Sequence, residues 1–469
     1  MMAFKPVLLW TDLLLFVLVS AALLMVFHVR RHPPLREAWR KVGQRAAGMA
    51  SMTVLLAFLA VGLLDSIHFR PVLRPVEGQT RTEAVYSSEV LSVLDALLAP
   101  LRLQTEKTYS APFALRLYQR ETVETADGGQ ARDYPRLVYG GRHLAEGEAV
   151  APDLSSRVGA ILWRAGLPIL GVMCCITLIV GRRGQGSFPQ AALDVLGGRA
   201  TLAWRAALVS GALIALVVAA AYELAPLYHV LGTDKVGQDV LYLSLKSVRT
   251  ALIIGTITTL VMLPFAVALG IAAGYLGGLV DDAIQYLYTV LNAIPGVLLI
   301  AAAVLMMQVV IDTHPHWFET AAQRSDARLL ALCFILGITS WTGLCRLLRG
   351  ETLKLRELEY VQAARAFGAS TPTILRRHIL PNVMHIVLIA LVMDFSGLVL
   401  AEAVLSYVGI GVDPTTISFG TMINMARAEL AREPMVWWSL ASAFAFMFVL
   451  VLAANLFADV VRDAFDPRR

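Results

Sequence analysis

Two carboxylates, Asp394 and Glu402, stand eight positions apart inside one long apolar run. Ionisable side chains in a segment apolar enough to enter a bilayer are costly, and they face a bundle interior, a partner or water. At helical spacing the two lie about 80° apart around the axis, so both could line one cavity. Other chemistry is not written in the chain. No Gly-x-x-x-x-Gly-Lys-Ser/Thr segment occurs to cradle nucleotide phosphates, and no catalytic triad, metal cluster or Cys/His pairing stands out. Cys174, Cys175, Cys333 and Cys345 lie in apolar runs, without the spacing of zinc sites or disulfide frameworks, and read as packing residues. The chain therefore reads as a non-enzyme that carries no metal.

Glycine and proline supply the next pattern. Gly270, Gly274 and Gly278 recur every four residues, which bares one helix face for close approach of another backbone. Pro264 and Pro295 fall within apolar runs and interrupt them, as occurs where helices border a pathway.

The elements that must position these residues follow from composition. Of 469 residues, 57% are hydrophobic and 16% charged, a balance that requires lipid. A spanning helix needs about 20 largely apolar residues, because the hydrocarbon core offers no water to backbone groups. Nine segments qualify: 7–27, 47–67, 160–180, 202–222, 251–274, 286–311, 329–348, 383–408 and 436–458. The expected fold is an all-α integral membrane protein, a polytopic helical bundle with about nine transmembrane helices. The first segment resembles a secretory leader only in apolarity. It lacks a basic leader and a small-residue cleavage site, and is expected to stay as an anchor.

The net charge of +5 is modest, and the location of the basic residues decides orientation. Arg30, Arg31, Arg36, Arg40, Lys41 and Arg45 follow the first span and should be cytoplasmic. Alternation then puts Arg182, Arg183, Arg199 and Arg205 on that side, with the basic stretch 346–377 and the tail carrying Arg462, Arg468 and Arg469. The C-terminus is expected to be cytoplasmic. The turn at Gly277 and Gly278 is the exception, since it carries Asp281 and Asp282 and no nearby Lys or Arg. Residues 69–159 have the composition of a soluble segment, with a loop signal at Asp127-Gly128-Gly129 and an amphipathic helix expected over 88–98 from Val90, Leu91, Val93, Leu94, Leu97 and Leu98. The flanking spans place this insert in the periplasm.

After the seventh span comes a polar stretch, 349–377, too long for a simple turn. Leu358, Val361, Ala364 and Ala366 form a short apolar stripe flanked by Arg356, Glu357, Glu359 and Arg365, and Gly368 is a natural helix terminator. Thr371-Pro372 suits the first turn of a second helix. The product is a helix, a tight glycine turn and another helix along the membrane face, shaped for docking.

Here the chain resembles the coupling segment of ABC importer permeases: Glu-Ala-Ala, three residues, Gly, nine residues, Ile, one residue, Leu-Pro. Ala363, Ala364, Gly368, Leu380 and Pro381 match, while Gln362 replaces the glutamate and His378 the isoleucine. Residues 377–382, Arg-His-Ile-Leu-Pro-Asn, look like the dipeptide/oligopeptide branch. Gly232, Thr233, Asp234, Gly237 and Asp239 resemble that branch's periplasmic loop, with Gln238 where it usually has arginine. Gly274 to Gly278 with Asp281, Ile294-Pro295, Arg346, Arg349-Gly350, Ala401-Glu402-Ala403, Asn455, Arg462-Asp463-Ala464 and Asp466-Pro467 follow in order.

The resemblance starts near Leu231 and runs to the C-terminus. It implies a bacterial inner-membrane permease subunit with a type I importer core, for peptides or similar solutes. Its partners would be a second, related permease, two ATPase subunits carrying ATP and Mg, a periplasmic binding protein and lipid, with no nucleic acid. It lends Glu402 a structural or gating role. The domains become two N-terminal spans with a basic loop (1–68), the insert (69–159), two further spans (160–225), the loop (226–248), the core (249–459) with its coupling loop (349–381), and a tail (460–469). Rival readings are an ion-coupled secondary transporter using Asp394 and Glu402, which would need inverted repeats that the sequence does not show, and a membrane sensor or scaffold acting through the insert.

Overall fold

The structure is a computed structural model that describes residues 4–72, 86–124, 130–145, 147–183, 195, 197–198 and 201–465. Asp127, Gly128, Gly129, Arg199, Asp466, Pro467, Arg468 and Arg469 lie outside the described residues. Among those described, nine helices are long and apolar enough to cross a membrane. The chain forms two compact units: Met1–Val7, Pro33–Thr250 and Ile417–Val460 in one, and Leu8–His32, Ala251–Thr416 and Val461–Arg469 in the other.

The first unit begins with strand β1 (Phe4–Val7). After α1 (Trp10–Arg31), which belongs to the second unit, come α2 (Pro33–Gln44), α3 (Ala46–Asp65) and strands β2 (His68–Pro71) and β3 (Leu91–Ser92). β1 and β2 pair antiparallel with Phe4 opposite Pro71 and Val7 opposite His68, and β3 adds to the far edge of β2. The chain between β1 and β2 therefore leaves one end and returns to it. In α2, Leu35, Trp39 and Val42 are packed while Arg36, Arg40 and Lys41 are exposed, the amphipathic pattern of a helix on a boundary.

The insert continues with α4 (Val93–Leu97), α5 (Ala99–Leu103) and the hairpin β4 (Glu121–Glu124) and β5 (Gln130–Asp133). The expected amphipathic helix over 88–98 is thus shorter and starts later. Ser92 and Asp95 form a capping box that fixes the start of α4, so Leu91 and Ser92 are left to the sheet. α6 (Val150–Arg183) and α7 (Trp204–Leu224) complete the paired spans; the backbone N–H of Ala203 bonds the carbonyl of Gly43, which holds the start of α7 beside the end of α2.

α8 (Val240–Leu276) enters the second unit at Ala251. It is followed by α9 (Gly278–Ala293), α10 (Gly296–Thr313), α11 (Ala321–Ser340), α12 (Thr342–Arg356), α13 (Glu359–Ala366), α14 (Thr371–Ile374), a single π-helical turn over Leu375–Ile379 and α15 (Leu380–Val408). α16 (Phe419–Glu429) and α17 (Trp438–Phe465) then start in the first unit. The sixth expected span, 286–311, is two helices: Pro295 caps α10, and its preceding residue Ile294 is extended, as a residue before proline prefers. Pro264, in contrast, does not interrupt α8.

Two apolar clusters hold the second unit. One gathers Ile253, Ile254, Ile257, Leu329, Leu332 and Leu336; the other gathers Met262, Ala266, Trp341, Leu348, Val361, Ile379 and Val383. α1 docks beside α11, where Thr11 bonds the buried carboxylate of Asp326 through its hydroxyl and its backbone N–H. Cys333 and Cys345 are buried in these clusters, but Cys174 and Cys175 are exposed on α6, so packing within the chain explains only two of the four.

Candidate functional site

The coupling segment is built on α12, which prolongs the seventh span. Gly270 and Gly274 on α8 let it in. A Cβ on Gly274 would lie 2.7 Å from the Arg349 carbonyl oxygen and 2.6 Å from Thr352 Cβ, and one on Gly270 would lie 2.8 Å from the Cys345 carbonyl oxygen. Gly278 has no such role. It lies past the break at Gly277, with φ +52° and open space around it. Arg349 grips Asp281 of α9 through two parallel bonds, Nε to Oδ1 at 2.5 Å and Nη2 to Oδ2 at 2.7 Å. That guanidinium holds the Asp281 carboxyl below the usual carboxylate range. The acidic turn that lacked basic neighbours in sequence receives them from α12, 68 residues away.

α13 carries Glu359 in its first turn and Arg365 in its last, each at the end its charge suits. The helix closes with a Schellman motif: Ala369 N–H bonds the Ala364 carbonyl and Gly368 N–H bonds that of Arg365, both at 3.0 Å, with Gly368 at φ +80°. Val361 is buried and Ala364 and Ala369 pack on the same core cluster, whereas Gln362, Ala363, Arg365, Ala366 and Phe367 are exposed. The expected stripe therefore shrinks to Val361 and Ala364. Leu358 caps the helix N-terminus with its side chain largely exposed, and Ala366 faces out. Gln362 bonds Glu357 at 3.3 Å. Leu380 packs inward and Pro381 sits in the first turn of α15, its missing N–H harmless there. Two residues of this surface escaped the motif reading: Phe367, 90% exposed, and Tyr360, whose hydroxyl accepts from Asn382 at 3.0 Å.

The loop before α8 is a second candidate site, and the insert covers it. Thr233 is fully buried: its N–H bonds the Ser110 carbonyl, its hydroxyl accepts from Ser110 N–H at 2.6 Å and donates to the Thr108 carbonyl at 2.9 Å. Trp438 Nε1 donates to the Thr233 carbonyl at 2.9 Å. Gly232 and Gly237 both have left-handed φ, and a Cβ on Gly237 would sit 1.8 Å from the Glu106 carbonyl oxygen. Asp234 accepts the N–H groups of Val236 and Gln238, which shapes the turn. Asp239 Oδ1 accepts the Leu241 N–H at 2.8 Å at the start of α8, and its Oδ2 meets His229 Nδ1 at 2.9 Å.

His229 is the hinge of this arrangement and was not singled out from sequence. Its Nε2 faces Glu106 Oε1 at 3.4 Å, and Glu106 accepts N–H bonds from Val138, Tyr139 and Gly140. Burial would lower the imidazole pKa, but the two carboxylates outweigh it and raise it from 6.5 to about 9. Burial likewise opposes ionisation of Glu106, yet His229 and the three N–H groups depress it from 4.5 to about 2. A neighbouring network ties the insert to α3 and α8: Lys246 Nζ reaches Asp65 at 2.6 Å and Asp95 at 3.0 Å, and Tyr242 donates to Asp95 at 2.8 Å.

The two span carboxylates do not share one setting. Glu402 is buried and accepts from Ser406 of its own helix at 2.7 Å. Asp394 lies about 12 Å away along the axis, is half-buried, and has no hydrogen-bond or ionic partner among the described residues. The described residues contain no group of three metal-ligating side chains.

The nine apolar helices and the helix–glycine turn–helix packed on the second core cluster define a polytopic helical membrane protein. Residues 266–469 match the family described as binding-protein-dependent transport system inner membrane component. The chain is 30% identical over 282 residues to the oligopeptide transport system permease protein OppC of Mycobacterium tuberculosis, covering 56% of this chain and 90% of that one. It is 31% identical over 240 residues to the dipeptide permease DppC of Lactococcus lactis, 51% of this chain and 64% of that one. With the glutathione permease GsiD of Pectobacterium atrosepticum it shares 34% over 242 residues, 51% of this chain and 73% of that one. The chain belongs to the binding-protein-dependent inner-membrane permease family, as a multi-pass permease subunit of an ABC importer.

Proposed function

We propose that the chain pairs with a second, related permease to form an alternating-access pathway for peptides or similar small solutes, delivered by a periplasmic binding protein and driven by two ATPase subunits. ATP and Mg bind on those subunits, since no phosphate-cradling loop occurs in this sequence. The basic side, with α2 and the C-terminus, is cytoplasmic, and the insert is periplasmic. Relatives named for oligopeptides, dipeptides and glutathione support a solute of peptide character. Glu402, hydrogen-bonded within its helix, fits a structural role better than ion coupling.

The observation that carries this reading is the coupling segment. Its inner side is fused to the core through Val361, Ala364 and Ala369, and its outer side presents Ala363, Ala366 and Phe367 beside a fixed glycine turn. A rigid knob of this kind, seated in a partner's groove, can bias two packings of the bundle when the partner moves. Gly368→Val tests it. Among the described residues, nothing beyond the glycine's own chain neighbours lies within 4 Å of the added Cβ, so the change acts on the left-handed turn alone, at about 1–2 kcal/mol. The variant is expected in the membrane with its permease partner, with solute uptake lost and the ATPase subunits no longer retained on purification. Normal uptake with the ATPases retained would remove the coupling assignment.

A further inference from the structure

The carboxylates within the described spans differ in one respect. Asp65 pairs with Lys246, Asp153 with Arg157, Glu223 with Arg164, Asp312 with Arg328 and Glu351 with Lys354; Asp326 is bonded by Thr11 and Glu402 by Ser406. Asp12, Asp459 and Asp463 also have partners. Among the carboxylates of the described spans Asp394 alone has none. It is the fifteenth of the 29 residues of α15, a helix about 43 Å long; with that helix centred in a hydrocarbon core of about 30 Å, its short side chain would reach neither end. An ionised group at that depth requires water or a cation.

The surroundings of Asp394 leave room for one. Ala390, Gly397 and Ala401 lie within about 60° of it around the helix, and a Cβ on Gly397 would have no neighbour within 4 Å. The exposed side of the helix begins at Gly397, about 60° from Asp394, and runs through Leu400, Val404 and Tyr407, about 80–140° from it, whereas Val387, Leu398 and Leu405 on its other flank are buried. Small side chains thus bed a half-buried carboxylate at the edge of the helix's open side.

We propose that Asp394 is a pathway site for a cationic group of the solute in transit, such as the terminal ammonium of a peptide. This rests on the importer reading above and deepens it. The carboxylate compensates the ammonium while it is out of bulk water, and the small neighbours admit the backbone behind it.

The test uses the assembled importer in liposomes, given trialanine-loaded binding protein, with uptake and ATP hydrolysis measured together. Asp394→Asn is expected to cut trialanine moved per ATP by about ten-fold or more, with hydrolysis within about two-fold of wild type, and Asp394→Glu to restore the ratio. An unchanged ratio overturns the proposal. Loss of the second permease from the purified Asp394→Asn complex also overturns it, making the carboxylate an inter-subunit ion pair. A second arm reads access to the position directly: Asp394→Cys with Cys174→Ser and Cys175→Ser, the exposed thiols removed, treated with a charged, impermeant methanethiosulfonate during turnover. Labelling that trialanine slows supports the site, and a cysteine that never labels overturns it. Labelling that trialanine does not slow, in an assembled complex that hydrolyses ATP and moves no trialanine, overturns the peptide-ammonium site together with the peptide reading.

Discussion

Replacing His229 by glutamine should loosen the insert from the loop before α8, and by an amount that depends on pH in a defined direction. The imidazole is held at about 9 against an ordinary 6.5, so its contribution is complete below about pH 6.5 and fades as pH rises through about 9. With about 1.36 kcal/mol per unit, the proton-linked part is about 3 kcal/mol at pH 6, about 2 at pH 7.5 and under about 0.5 at pH 9. Glu106 does not blur the result, because its own depressed titration, from 4.5 to about 2, is over well below this range. Local opening is the relevant reaction, and amide hydrogen exchange in residues 104–110 and 229–240 reads it. After correction for intrinsic exchange, wild type should be protected over His229→Gln by about 200-fold at pH 6, shrinking by most of that factor at pH 9. The packing lost with the ring adds a constant offset. An equal ratio at both pH values would show that the His229 pKa is the same in the closed and open states, and would refute the argument.

Gly274→Val should prevent assembly, because its Cβ meets backbone oxygen at 2.7 Å that no side-chain rotation relieves; about 1–3 kcal/mol of overpacking is expected, read as loss of monodisperse protein on size exclusion. Gly278→Ala, with open space, should cost only about 1 kcal/mol of left-handed strain and purify normally. Asp281→Asn and Arg349→Gln should each destabilise α9 against α12, while the double variant loses less than the sum by about 0.5–3 kcal/mol in thermal stability. Additive losses would mean that the two-bond grip contributes nothing.

The spans were legible because each is a local property: about 20 apolar residues in a row need no knowledge of neighbours. The helix–glycine turn–helix at 359–381 was legible for the same reason, since its terminator and apolar spacing lie within one stretch of chain. What sequence did not offer were pairings across distance. Asp281 and Asp282 read as an exception to the charge rule until Arg349 was placed against Asp281. His229 carries no local signal at all, because its two carboxylates come from positions 106 and 239. Hydropathy reads the apolar run 286–311 as one span because it is blind to the extended residue that Pro295 imposes.

The extension beyond the family match joins the chain in two ways. α1 enters the second unit through a hydrogen bond to a buried carboxylate, Thr11 to Asp326, and supplies Leu14 to its apolar cluster. The insert enters the first unit through polar contacts: Glu106 to His229, Asp65 and Asp95 to Lys246, and the backbone of 108–110 to Thr233. Contacts of this kind are specific in geometry and expensive to leave half-made, since each exposes a buried charge or donor. They fix Gly232, Thr233, Gly237 and Asp239 as parts of a sealed joint.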